Sequence, residues 1–165
     1  MPMPNIINSA QALSVSDIAA LEARLGTPLP PAYREFLLTQ NGGQPQPSYF
    51  QFVRHGKTRE WTWVGGLKSV TPPTRRWINL EAIPDWKKAE IPEGGLEIGY
   101  GPEEQGIVLF LSGPRQGQVW YKDYESCEDE GVPEEELHLL APDLNAFLAT
   151  LTEKPDDAEW IEDIA

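Results

Sequence analysis

Ile107-Val108-Leu109-Phe110-Leu111, a turn at Gly113-Pro114-Arg115-Gln116-Gly117, and Gln118-Val119-Trp120-Tyr121-Lys122 form the stretch whose reading decides the fold. The first run is continuously apolar, so it reads as a strand with two apolar faces that must both be covered. The glycine- and proline-containing turn sends the chain back, and the second run is rich in aromatic and β-branched residues. Together they predict a hairpin at the centre of an antiparallel sheet.

Working outward, Leu96-Glu97-Ile98-Gly99-Tyr100 alternates and adds a strand. Tyr49–Arg54 and Trp61–Val64 are further strand candidates, the second closed by Gly65-Gly66. Helices bracket these strands. Ser14 and Ser16 are both suitable N-caps for a helix over 17–25, in which Ile18, Leu21 and Leu25 share a face and Gly26 follows as the stop. Pro31 sets the first turn of a second helix over 31–40, with Tyr33, Phe36, Leu37 and Gln40 on one side. Asn41-Gly42-Gly43 reads as its stop, with Gly42 in a left-handed cap. Leu144, Phe147, Leu148 and Leu151 mark a last helix over 142–151. Residues 1–13 read as a lead-in and Gln44–Ser48 as a polar loop. In 72–95 helical spacing conflicts with Pro84 and Pro92, so this region reads as a loop with room for a short helix. The fold class expected is α+β: one domain over 14–152, with an antiparallel sheet packed against N- and C-terminal helices and an acidic tail over 153–165.

The 165 residues, with 40% hydrophobic content and six Trp, supply one core, and 14 Gly with 16 Pro argue against a long bundle or coiled coil. The formal charge is −13. Residues 1–80 hold eight Lys/Arg against four acids, whereas 81–165 hold five against twenty-two, a balance of −17. Such a half repels phosphate backbones and anionic membranes and steers basic partners. Neither a nucleic acid nor a membrane is therefore expected as a partner. The single Cys127 allows no intrachain disulfide, Met1–Ile7 has no signal-peptide pattern, and no apolar run is long enough to span a bilayer. The compartment expected is the cytoplasm.

Enzyme chemistry finds little support. His55 and His138 have no ligand-spaced neighbour and no nucleophile motif beside them, and they read as surface or strand-edge residues. Cys127 is surrounded by Glu125, Glu128, Asp129 and Glu130, which suppress its thiolate. The glycine turns at 99–102 and 113–114 lack the helix start and Lys-Ser/Thr of a phosphate loop. Asp123 and Glu125, two residues apart, are the pair that a small hydrolase would use. No catalytic residue, metal site or cofactor is assigned. Trp61, Trp63, Trp77, Trp86 and Trp120 read first as core or subcore residues and second as the lining of a carbohydrate or peptide cleft.

These segments, taken in order, resemble the SUKH superfamily, the domain shared with a fungal cell-wall synthesis regulator. The resemblance is carried by Leu29-Pro30-Pro31-Ala32-Tyr33-Arg34-Glu35-Phe36-Leu37 with Asn41-Gly42-Gly43, and by Ile91-Pro92-Glu93-Gly94-Gly95-Leu96-Glu97-Ile98-Gly99. Downstream it continues through Gly117–Glu125, with Trp120, and Leu140–Leu148. Lys122 and Tyr124 depart from the pattern, which usually has an aromatic and a His there. The resemblance implies a bacterial immunity protein that binds and neutralises a cognate polymorphic toxin, often a nuclease, by occlusion. The alternative is a regulatory scaffold for host proteins, like the fungal relatives. Six acids within nine residues, Glu128, Asp129, Glu130, Glu134, Glu135 and Glu136, together with Glu103, Glu104, Asp123 and Glu125, are the expected electronegative contact surface for a basic toxin.

Overall fold

The computed structural model describes residues 3–54, 58–70, 91–123 and 137–156. The readings made for 72–90, for 125–136 and for the tail beyond 156 lie outside these residues.

Helix α1 (Val15–Leu25) starts at Ser14, whose Oγ accepts from the Asp17 N–H at 3.1 Å while the Asp17 carboxylate accepts from the Ser14 N–H at 2.9 Å. This reciprocal capping satisfies two otherwise orphaned donors and selects Ser14 over Ser16. Gly26, at φ +76°, ends the helix as expected. Helix α2 (Pro31–Thr39) has Pro at its first position and buries Tyr33, Phe36 and Leu37. Its C-cap is Gln40, which is extended at φ −144°. Gly42 is left-handed at φ +73° but is not the helix cap that the Asn-Gly-Gly signal suggested. It sits where the backbone crosses the chain beyond β5 (Gly66–Leu67). A Cβ there would lie 2.7 Å from the Leu67 carbonyl oxygen and 2.8 Å from both Lys68 C and Ser69 N.

The lead-in and the polar loop, read as irregular, pair as β1 (Asn5–Ile7) and β2 (Gln44–Gln46). Strands β3 (Tyr49–Arg54) and β4 (Thr58–Trp63) form a hairpin with Tyr49 opposite Trp63 and Gln51 opposite Trp61. The main sheet is antiparallel in the order β5-β6-β7-β8-β9. Its remaining strands are β6 (Gly95–Tyr100), β7 (Gly106–Phe110), β8 (Val119–Lys122) and β9 (Leu137–Ala141). The strand at 137–141 was not expected. Helix α3 (Leu144–Thr150) closes the fold, with the Asp143 carboxylate accepting from the Ala146 N–H at 2.8 Å.

Every residue of β7 is buried, and its two faces enter different clusters. Ile107 and Leu109 join the main core with Ile18 and Leu21 of α1, Tyr33 and Leu37 of α2, Phe50 and Phe52 of β3, and Phe147 of α3. Val108 and Phe110 pack on the opposite face with Leu137, Ile91 and Trp120. The strand is thus covered on both sides, as its sequence requires. No helix among the described residues is long and apolar enough to cross a membrane.

Candidate functional site

Of the expected contact acids, the described residues include Glu103, Glu104 and Asp123. Glu103 is exposed in a short 3-10 turn (Pro102–Glu104) between β6 and β7, where it adopts φ +57°. Glu104 belongs to the same turn, which is closed by the Gly101 N–H donating to the Gln105 carbonyl at 2.7 Å. Asp123 differs from expectation: it follows β8 and has no accessible surface, so it cannot form part of an electronegative rim. The same burial closes Asp123 to a substrate in the hydrolase alternative. Glu125, Glu128, Asp129, Glu130, Glu134, Glu135 and Glu136 lie outside the described residues, as do His55 and Cys127.

Behind the second face of the sheet lies a group of buried charges that the sequence did not single out. Lys68, held next to β6 by its N–H donating to the Ile98 carbonyl at 2.7 Å, places Nζ 3.0 Å from Glu97 Oε1. Both side chains are removed from water, at 4% and 0% exposure. A register shift between Glu97 and Gly99 inserts Ile98 as an extra residue, so Ile98 enters the main core and Glu97 faces the other side. The Glu97 carboxylate lies over Gly106, where a Cβ would be 3.2 Å from Oε2, and the cross-strand partner of Gly106 is the fully buried Lys122. Glu97 and Lys122 have no accessible surface and Lys68 has almost none, so these charges lie inside the fold and not on a contact surface.

On the other face, the Tyr121 hydroxyl and the Gln105 side chain are hydrogen-bonded, and the Tyr121 ring meets Phe50 edge-on at 5.4 Å and Phe52 at 4.7 Å. His138, on the edge strand β9, is packed 5.1 Å from Phe52 rather than displayed on the surface. Among the described residues, no group of three or more His, Cys, Asp or Glu is arranged to hold a metal.

The residues that carried the family resemblance have structural work. Leu29, Pro30, Tyr33, Phe36 and Leu37 are buried. Asn41 is fully buried and ties three segments together: its Nδ2 donates to the Gln11 and Val70 carbonyls, each at 3.0 Å, and its Oδ1 accepts from the Val70 N–H at 2.8 Å. Gly43 exchanges backbone hydrogen bonds with Leu67, its N–H donating at 2.9 Å and its carbonyl accepting at 2.7 Å. The half-buried Trp120 donates from Nε1 to Gln118 at 3.0 Å, and the Arg115 guanidinium sits 4.8 Å over its ring.

Among the described residues, one outer face carries several aromatic side chains. Along the β3–β4 hairpin, Phe50, Phe52 and Thr62 point into the core, and the alternate positions Tyr49, Gln51, Val53, Arg59, Trp61 and Trp63 point away from it. Trp61 and Trp63 are therefore partly buried on the outer face of the hairpin rather than part of the main core. The period-2 pattern of 49–53 and 59–63 carried that signal.

The chain matches the model of the SMI1 / KNR4 family (SUKH-1) over residues 12–150. No curated protein matches it. The matched span runs from just before the Ser14 cap to the last residue of α3, so it takes in both capped N-terminal helices, the hairpin, the whole five-stranded sheet and the closing helix. The chain belongs to the SMI1 / KNR4 (SUKH-1) family.

Proposed function

We propose that this protein is a cytoplasmic immunity protein that binds a basic cognate toxin and neutralises it by covering its working surface. Family membership supports the class, since SUKH domains commonly serve in immunity. The observation that carries the reading further is charge. A net −13, concentrated as −17 in residues 81–165, exceeds the ~2–8 charges that solubility asks of a small domain. Long-range attraction raises the encounter rate with a cationic protein, and desolvated anchors then set the lifetime of the complex.

The test is coexpression with candidate toxin domains encoded by the genes that flank this one. Expected results are rescue of growth, a stable complex on gel filtration, and an association rate that falls steeply as salt is raised. Rescue without a complex, or an association rate indifferent to salt, refutes the reading.

A further inference from the structure

Resting on that reading, we infer that the outer face of the β3–β4 hairpin is the surface on which the basic toxin docks. Three observations converge. First, this face groups Tyr49, Trp61 and Trp63, residue types that dominate binding energy at protein interfaces, within two cross-strand rows. Tyr49 and Trp63 are in ring contact at 5.6 Å, and Val53, two rows further along the same face, is 44% exposed. Second, Trp61 is partly exposed and has no hydrogen-bond or ring partner among the described residues, so its indole N–H is left for a partner.

Third, acids flank the aromatic end of the face. The turn that carries Glu103 packs on the Trp63 backbone, since a Cβ on Gly101 would lie 3.0 Å from the Trp63 carbonyl oxygen. On the other side, Tyr49 and Thr152 exchange backbone hydrogen bonds at 3.0 and 2.9 Å, which sets the exposed Glu153 next to Tyr49 and leads on to Asp156, with Lys154 the one base between them. An aromatic anchor bordered by carboxylates fits a partner surface that offers Lys or Arg around an apolar patch. Aromatic faces also hold the cations themselves. Arg59, towards the hairpin tip, is the opposite pole of the face and repels a basic partner, so the charge along the face orients that partner with its basic side over the acidic end.

The experiment measures binding of the purified full-length chain to candidate toxin domains encoded by the genes that flank this one, with melting curves taken in parallel. Trp61→Ala should weaken the complex about 30-fold, mainly through faster dissociation, when measured at a temperature where its melting curve shows the variant still folded. Val53→Arg, at an outward position that cannot disturb the core, should weaken it about tenfold by placing a cation against a basic partner. Glu103→Gln with Glu153→Gln should lower the association rate at low salt and flatten its salt dependence. Val15→Ala, on α1 and 63% exposed, should bind as wild type. Wild-type binding that survives Trp61→Ala and Val53→Arg within twofold overturns the assignment of this surface while leaving the immunity reading intact. Absence of wild-type binding overturns both. A free wild-type chain that is dimeric, and made monomeric by Trp61→Ala with toxin affinity unchanged, overturns the assignment in favour of self-association.

Discussion

Gly42→Ala separates two reasons for a glycine. At φ +73° an added Cβ meets the intrinsic cost of the left-handed region, ~1–2 kcal/mol. It also arrives 2.7–2.8 Å from three backbone atoms of residues 67–69. None of these is the flexible end of a side chain, so the strand backbone itself must move. That displacement disturbs the Gly43–Leu67 hydrogen bonds and the Ser9 Oγ bond to the Gly42 carbonyl at 2.9 Å, and forced overpacking of this kind costs ~1–3 kcal/mol. The sum is ~2–5 kcal/mol. Gly26 supplies the control, because its φ is +76° and nothing lies within 4 Å of its Cβ position. Gly26→Ala should therefore show the conformational cost alone, ~1–2 kcal/mol. Urea denaturation reports both, with the midpoint read at unchanged slope, and each kcal/mol corresponds to about 2–4 °C in a thermal melt of a domain this size. Equal destabilisation by the two substitutions, within ~0.5 kcal/mol, would refute the close-packing argument and return Gly42 to the role of a simple turn residue.

Glu97→Ala removes the carboxylate from buried Lys68 and should cost ~3–5 kcal/mol, whereas Lys68→Met with Glu97→Leu should recover most of that loss; a denaturation cycle in which the double variant is no better than Glu97→Ala counts against a coupled pair. The Tyr33 hydroxyl is buried without a hydrogen-bond partner, so Tyr33→Phe should leave stability at pH 7 unchanged or raise it by up to ~1 kcal/mol. Burial also pushes the Tyr33 phenol above its ordinary 10.0, because the ionised form is excluded from the core. Above about pH 10 the unfolded chain loses this proton and the folded chain keeps it, so wild type should lose stability with rising pH more steeply than Tyr33→Phe; parallel slopes in melts between pH 9 and 11.5 would contradict this. Asn41→Ala strips one acceptor and two donors from the junction of 11, 41 and 70 and should cost ~2–3 kcal/mol by chemical denaturation, with a change under ~0.5 kcal/mol disproving its role.

Local chemistry was legible and long-range pairing was not. The α1 boundaries follow from Ser14, Asp17 and Gly26, residues that act within one turn, and the burial of β7 follows from five consecutive apolar side chains. Strands β1 and β2 are three residues each, carry Pro45 and polar residues, and exist because the chain ends of 5–7 and 44–46 meet in space. Strand β9 was hidden for a related reason: a register shift opposite Val119 and Trp120 breaks the alternation that would have announced it. At the site, Asp123 was read as a contact acid and Glu97 only as one position of an alternating strand, because a charge is written the same whether it is solvated or sealed. The aromatic alternation of the hairpin was visible, but deciding which rank faces outward required the core positions of Phe50 and Phe52.

The Asn41 junction bears on how this domain should be cut. Its amide reaches Gln11 and its carbonyl accepts from the Ala10 N–H at 3.0 Å, both upstream of the first family-matched residue, and Tyr49 is bridged to Thr152, two residues past the last one. The segment that relatives share is thus shorter than the segment that physically closes. A fragment trimmed to 12–150 would retain the shared residues and yet open buried carbonyl and amide groups at both ends, so it should express as a fraying, protease-sensitive species. Boundaries drawn at 5 and 153 keep every one of these bonds, and they are the limits to use for fusion proteins, deletion series and grafts of the domain.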